Sequence, residues 1–492
     1  MNQEEIVDNI ILDMLELKHP SSKELILSGT TKSSRRLAML SILDNKNRPL
    51  FNDYKNILIN NPPHPCGEYS MDILQLLRKY VKVADIEVKE YGEVMTPLTL
   101  VNEMLDRLPK EVWSNPNLKW LDPCNGVGTF PSVIVERLMV GLKDVIKGDC
   151  NRYSHIIENM IYVCEIQPKN MFLFHCAFDR KDNHKLNTYC GSFLSDEFNE
   201  HMKNEWKIDK FDIVVANPPY NNKQNSKGKR GGGDTLWDKF VIKIINNSLK
   251  ENGLLCCIHP TLWRKPQSIN SSVKEVSKLM KSKQIHYLEM HSTDDGKKTF
   301  NSGTRYDFYV LENTPTYKTT EINDENRENI SVMLNNIGFI PNKNINFTSI
   351  LISSKDDLKL PIIFNRNNYG SDKKWVSDEQ TDEYKYPLIH STLKTHVRYK
   401  YSSRNDNGHF GIPKVIFGES GINEVIIDMN GEYGMTQGAM AIEVNTKEEA
   451  EDLKKCLMSE NFKEFLSSNM WSNFRIDWRL FSYLKKDFYK QF

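Results

Sequence analysis

Hydrophobic residues recur at helical spacing through the first 90 positions: Ile6, Ile10, Leu12 and Leu15, then Leu37, Leu40 and Leu43, then Ile73, Leu76, Leu77 and Val81. These stripes predict a helical segment over 1–90, broken by a proline-rich loop at Asn61–Gly67. The texture then changes. Short apolar runs rich in β-branched residues alternate with longer helical stripes. Leu118–Leu121, Met160–Glu165, Phe211–Val215 and Leu254–Ile258 read as buried strands. A stripe through Leu100, Val101, Met104 and Leu105, a stretch from about Pro131, and Trp237–Leu249 read as helices. Such alternation predicts a parallel sheet flanked by helices. Ile285–Glu289 and Tyr306–Leu311 bring the named strands to six of the seven expected in the sheet, with an antiparallel edge.

Three local readings follow from capping and turn chemistry. Thr96 before Pro97 predicts an N-cap followed by proline at the first helical position. Asn252-Gly253 predicts a helix stop, and the interval from Gly128 to Glu165, longer than the ~20 residues usual for such units, places Cys150–His155 in an insertion. From about Asn323, segments rich in Asn, Lys and Asp separate short strands at Pro413–Phe417 and Glu424–Asp428.

The bulk numbers narrow the class. A chain of 492 residues is too long for one core, and 39% hydrophobic with 26% charged residues describes a globular protein. Lys+Arg and Asp+Glu are both 65, so any polyanion must be met by a local basic patch. The nine cysteines show no CxxC or His/Cys clustering, which argues against a zinc site or a disulfide frame and for a reducing compartment. The N-terminus is acidic and lacks a signal-peptide pattern, and no apolar run approaches the ~18 residues of a membrane span.

Candidate chemistry lies where the predicted strands end. Phe211–Val215 runs through Ala216 into Asn217-Pro218-Pro219-Tyr220. Two prolines stiffen this turn and remove two backbone donors. The Asn217 amide oxygen and the Pro218 carbonyl can each accept an N–H from one exocyclic amine, and Tyr220 offers an aromatic face. An ordinary strand-to-loop turn uses the same residue types. Asp122, Pro123, Gly126 and Gly128 follow the first strand; the glycines permit close backbone approach to a ligand, and Asp122 suits an ammonium group. The spacing is neither GxGxxG nor a phosphate-cradling P-loop. Glu165 ends the next strand, where an acid takes ribose hydroxyls, with Ile166 beside it for an adenine face.

After Tyr220, residues 221–233 are polar, glycine-rich and basic, with Lys223, Lys227, Lys229 and Arg230, and read as a mobile loop. Basic and aromatic residues interleave again at Trp375, Arg398, Tyr399, Lys400, Tyr401 and Arg404, and at Arg475, Trp478, Arg479 and Phe481. That texture fits nucleic acid or a buried aromatic cluster equally.

Taken together, these segments resemble the S-adenosylmethionine-dependent DNA methyltransferases that act on adenine N6 and carry a C-terminal target-recognition domain, with a texture like the Eco57I-type group. Asn217-Pro218-Pro219-Tyr220 matches the catalytic motif. Asp122-Pro123 with Gly126, Gly128 and Phe130 matches the cofactor loop. Tyr91, Glu93, Thr96 and Pro97 match the segment over the methionine end of the cofactor, and Glu165 matches the ribose acid. The resemblance covers about 91–312. Ser192 stands where the family usually has an acid toward the cofactor's adenine.

The resemblance implies an α/β fold: a Rossmann-like seven-strand methyltransferase sheet over 91–320, after the helical segment 1–90 and before an α+β target-recognition domain over 321–492. It implies S-adenosylmethionine held by Tyr91, Thr96, Asp122, Pro123, Gly126, Gly128, Glu165, Ile166, Ser192 and Asn217. It also implies double-stranded DNA met by the four loop cations and by Arg398, Lys400, Arg404, Arg475 and Arg479, a flipped-out adenine, no metal, no membrane, a cytoplasmic setting, and a separate restriction endonuclease as a partner. Protein-glutamine and RNA amino-group methyltransferases share the Asn-Pro-Pro-Tyr turn and form the rival reading. A DNA-binding subunit that no longer catalyses is a third.

Overall fold

The computed structural model describes residues 95–179, 184–222, 234–267, 271, 273–353, 358–365, 367–393, 396–471 and 475–492. The helical segment 1–90, Tyr91 and the loop cations Lys223, Lys227, Lys229 and Arg230 lie outside the described residues. The chain divides into two compact units. One holds the described residues of Met1–Pro260, Ser272–Asn323 and Asn329–Asn335; the other holds those of Thr261–Ser271, Asp324–Glu328 and Asn336–Phe492.

The first unit is built on a nine-stranded sheet. Its strands are β1 (Trp120–Asp122), β2 (Ile161–Glu165), β3 (Asn187–Cys190), β4 (Phe211–Ala216), β7 (Leu249–Pro260), β8 (Lys283–His291), β9 (Tyr306–Pro315), β10 (Thr320–Asn323) and β11 (Asn329–Val332). They lie in the order β11-β10-β8-β9-β7-β4-β1-β2-β3. A two-stranded ladder, β5 (Asn221–Asn222) with β6 (Asp234–Thr235), stands apart. From β3 through β7 neighbouring strands run parallel. Every residue of β1 and β2 is buried, as expected of strands covered on both faces. The order β3-β2-β1-β4-β7-β9-β8, with only β9 reversed, is the Rossmann-like methyltransferase sheet.

Four expectations are corrected here. The reversed strand is not at an edge: β9 is antiparallel to β7 on one side and β8 on the other, and the β10–β11 pair continues the sheet beyond β8. Cys150–His155 is no insertion but part of helix α3 (Asp149–Asn159), whose Tyr153, Ile156 and Ile157 enter the core. This second crossover helix, after α2 (Thr129–Gly141), accounts for the long interval between Gly128 and Glu165. The helix from Trp237 ends early: α6 (Trp237–Lys243) passes into a single wide turn at Ile244–Ser248. Asn252-Gly253 therefore stops no helix. Asn252, at φ 58°, lies inside β7, where pairing with β4 jumps from Phe211↔Leu249 to Ile213↔Leu254. A left-handed residue at such a jump marks a bulge.

Thr96 is no N-cap either. Helix α1 (Leu98–Leu105) is preceded by Pro97 with no side-chain cap, and it buries Leu100, Val101, Met104 and Leu105, the stripe read from the sequence.

The second unit packs helices α10 (Lys447–Met458) and α11 (Glu460–Ser468) with strands that include β16 (Lys414–Gly418), β17 (Val425–Asp428) and β19 (Ala439–Glu443). A separate four-stranded sheet holds β14 (Tyr386–Thr392) and β15 (Val397–Ser402). Trp471, Phe481 and Phe488 are core residues, so much of the aromatic content of the last stretch is buried. No helix among the described residues is long and apolar enough to cross a membrane.

Candidate active site

Asp122, Glu165 and Asn217 end β1, β2 and β4 or follow them directly, and the parallel register brings these ends to one edge of the sheet. Ligands bind at that edge in open α/β sheets. The loop after β1 is shaped by left-handed glycines, Gly126 at φ 56° and Gly128 at φ 97°. They serve different ends. A methyl group on Gly128 would lie 2.8 Å from the rings of Phe174 and Phe178, so this glycine lets helix and loop approach. A methyl group on Gly126 would meet open space.

Glu165 fixes that loop. Its Oε2 accepts from the Gly126 N–H at 2.7 Å and its Oε1 from the Gln167 N–H at 2.8 Å. A carboxylate has further lone pairs for a ligand hydroxyl. The next residue, Ile166, leaves half its surface exposed at 50%, while Glu165 is buried. An apolar side chain beside a buried acid suits a purine face above a ribose.

Asp122 is buried, and its Oδ1 accepts from the Cys124 N–H at 3.1 Å. Its Oδ2 is buried with no hydrogen-bond partner among the described residues. Burial pushes the carboxyl up to about 7, with the Cys124 contacts opposing. A cationic ligand group would relieve that unfavourable desolvation. Pro123 is buried behind the loop. Ser192 is half-buried after β3, with its Oγ accepting from the Leu194 N–H at 3.3 Å, so part of its hydrogen-bonding capacity is spent on its own turn.

In the turn after β4, Asn217 is half-buried and its Nδ2 donates to Thr96 Oγ1 at 3.0 Å. Cys124 lies close to the Asn217 backbone N–H, which ties the β1 loop to this turn, although burial still drives the thiol well above its usual range. Pro218 is buried. Tyr220 is half-buried with its hydroxyl inward, so the accessible part is the ring. Burial raises the phenol, and Cys257, Tyr306 and Asp307 nearby add to the rise. The Tyr220 carbonyl accepts from the Leu236 N–H at 3.2 Å, and the β5–β6 ladder starts at the next residue. Within the unit, Trp237 stacks on His259 at 4.2 Å. His259 is buried and held neutral, pushed down to about 3 by desolvation, with Tyr309 Oη at 3.1 Å.

The sequence reading missed the Thr96–Asn217 contact, the wall of Tyr306 and Asp307 behind Tyr220, and the Trp237–His259 stack. Thr-Pro before a helical stripe signals a cap, and nothing local betrays a partner 121 residues away. A cleft of about 550 Å³ lies at the other ends of the strands, lined by residues including Arg107, Asp212, Lys250, His286 and Glu312, away from these groups.

The described DNA-binding candidates belong to the second unit. Arg398 is exposed on β15. Lys400 pairs with Asp378 at 2.6 Å, Arg404 with Asp406, Arg475 with Glu419 at 3.3 Å, and Arg479 with Asp477. Arg404 and Arg479 each grip their carboxylate through two nitrogens, which engages most of the guanidinium fork.

Part of the chain is similar to known proteins. Residues 141–300 match the model described as Eco57I restriction-modification methylase. The chain is 25% identical to an "Uncharacterized adenine-specific methylase" of Mycoplasma pneumoniae, over 40% of this chain and 61% of that protein. It is 27% identical to "Type II methyltransferase M.VspI" of Vibrio sp., over 37% of this chain and 36% of that protein. The chain thus spans about three fifths and about one third of these relatives' lengths. Among solved structures, a DrdV–DNA complex aligns with 96% of this chain and 69% of that one, at 10% identity and a TM-score of 0.47. The likeness to the Eco57I restriction-modification methylase model thus rests on residues 141–300.

Proposed function

We propose that the chain is a site-specific DNA adenine-N6 methyltransferase that uses S-adenosylmethionine. The observation that carries the reading is the Asn217 amide, fixed at the sheet edge beside the Asp122–Gly128 loop and Glu165. The residues fit the cofactor: Asp122 Oδ2 for the ammonium, Glu165 for the ribose, Ile166 for a purine face, and the open side of Gly126 for close approach. Tyr91, Thr96, Pro123, Gly128 and Ser192 complete that proposed set.

When bound, S-adenosylmethionine supplies a methyl group on a good leaving group, so the protein's task is alignment. Asn217 Oδ1 and the Pro218 carbonyl accept the two N–H bonds of a flipped-out adenine's amine and direct its lone pair toward the cofactor loop. Tyr220 holds the base by its ring, with its hydroxyl turned inward. Pro219 keeps the turn stiff. Lys223, Lys227, Lys229 and Arg230 contact the DNA backbone. Arg398, Lys400, Arg404, Arg475 and Arg479 in the second unit read the site, Arg398 being the most available. The enzyme acts in the cytoplasm on double-stranded DNA.

Transfer of a labelled methyl group to DNA, RNA and protein substrates in parallel tests the substrate class. Label in DNA, recovered as N6-methyladenine, is expected. Label confined to RNA or to protein glutamine overturns it.

A further inference from the structure

We infer that Thr96 is a positioning residue for the Asn217 amide: it holds the amide in place against the substrate amine. The inference rests on the site being the amine-directed methyl-transfer site described above.

The two ends of an asparagine amide are nearly alike in shape, and rotation about the terminal bond is roughly two-fold. They are opposite in chemistry, because Oδ1 accepts and Nδ2 donates. A substrate amine needs an acceptor opposite its N–H. A flipped amide would set donor against donor and push the amine away. The two prolines that follow offer no N–H to hold the amide in place.

Thr96 supplies the hold. Its Oγ1 accepts from Nδ2 at 3.0 Å, which leaves Oδ1 as the amide atom available to a ligand. The hydroxyl is well held. Thr96 is buried at 6% exposure, and Pro97 after it fixes the chain at φ −60°. Helix α1 then anchors the segment through Leu100, Val101, Met104 and Leu105, all in the core of the same unit. The side chain makes this contact with a residue 121 positions away.

The test uses two variants of the full chain. Thr96→Val keeps the branched shape and removes the hydroxyl; Thr96→Ser keeps the hydroxyl. With cofactor and DNA saturating, Thr96→Val should lower the single-turnover rate of methyl transfer roughly tenfold, the scale of one lost orienting hydrogen bond. Because Thr96 also belongs to the proposed cofactor set, the comparison is made at saturating S-adenosylmethionine, and Thr96→Ser should restore most of the rate. A second readout does not depend on turnover. With ¹⁵N-asparagine labelling, the Asn217 side-chain amide signal, identified by its absence in Asn217→Ala, should move in Thr96→Val and return in Thr96→Ser. A wild-type rate in Thr96→Val, a serine variant as impaired as the valine one, or a loss confined to cofactor affinity would each overturn the inference. If the unaltered chain methylates no DNA, the reading of function has failed, and the amide signal alone still decides the Thr96 contact.

Discussion

Asp122 concentrates the electrostatics of the proposed site into one carboxyl. One oxygen is satisfied by the Cys124 N–H, the other is buried without a partner among the described residues, and desolvation raises the group to about 7. An unfolded chain would release that proton near 3.8. The folded state therefore holds the proton longer, and the penalty is absent below about pH 4, grows between about 4 and 7, and is complete above. Asp122→Asn should accordingly melt higher than the parent at about pH 8, by an amount on the order of a few kcal/mol, with the gap closing as pH falls toward 4. The same variant should bind S-adenosylmethionine more weakly. Thermal melts across pH check the first effect and calorimetry the second. The glycines give a sharper contrast. Gly128→Ala combines a left-handed backbone with contact on Phe174 and Phe178, and should cost roughly 2–5 kcal/mol of stability. Gly126→Ala has room and should cost about 1–2 kcal/mol, while its methyl group obstructs the cofactor. A pair of melts with a cofactor titration separates the two. Asp122, Glu165 and the Asn217 turn were legible in the sequence because each ends an apolar run with a polar residue. The role of Thr96 was not, because local capping chemistry and a distant amide compete for the same hydroxyl.

At the scale of elements, sequence patterning found the strands and misplaced their ends. Leu254–Ile258 reads as a strand by its apolar run, yet β7 begins at Leu249 because pairing with Phe211 of β4 continues past the bulge at Asn252. Likewise β9 sits between β7 and β8 through long-range pairing that its own residues do not announce. In the second unit the β16–β17 hairpin carries a device invisible to periodicity. Lys414 and Asp428 face each other across it at 2.7 Å, both side chains essentially buried. Desolvation lowers the lysine and Asp428 opposes that shift. Asp428 also accepts from the Glu432 and Tyr433 N–H groups, which ties the following turn. Asp428→Ala would strand a buried ammonium and two backbone donors, and should destabilise the second unit by roughly 3–5 kcal/mol. Adding Lys414→Met should recover much of the loss. Denaturant unfolding followed by the tryptophans Trp375, Trp471 and Trp478 reports it.

Across the whole molecule, the two units are not consecutive stretches of chain. Thr261–Ser271 groups with the C-terminal unit, and Arg264 shows why: fully buried, it donates to the carbonyls of Ile340 and Pro341. A boundary drawn by composition near residue 320 cannot reveal such an excursion, because an arginine in a polar stretch gives no sign of its distant acceptors. Removing the second unit by truncation would leave Arg264 without them, so single substitutions are the cleaner probe of function. The proposed function is adenine-N6 methylation of DNA at a defined site by the Asn217 turn. The most direct measurement is modification-sensitive sequencing of the genome of a host expressing the parent chain or Asn217→Ala, with cofactor affinity of both proteins measured alongside. The account predicts N6-methyladenine at one recurrent sequence for the parent, none for Asn217→Ala, and S-adenosylmethionine affinities within about threefold of each other. An Asn217→Ala chain that marks the same sequence to the same extent would contradict it.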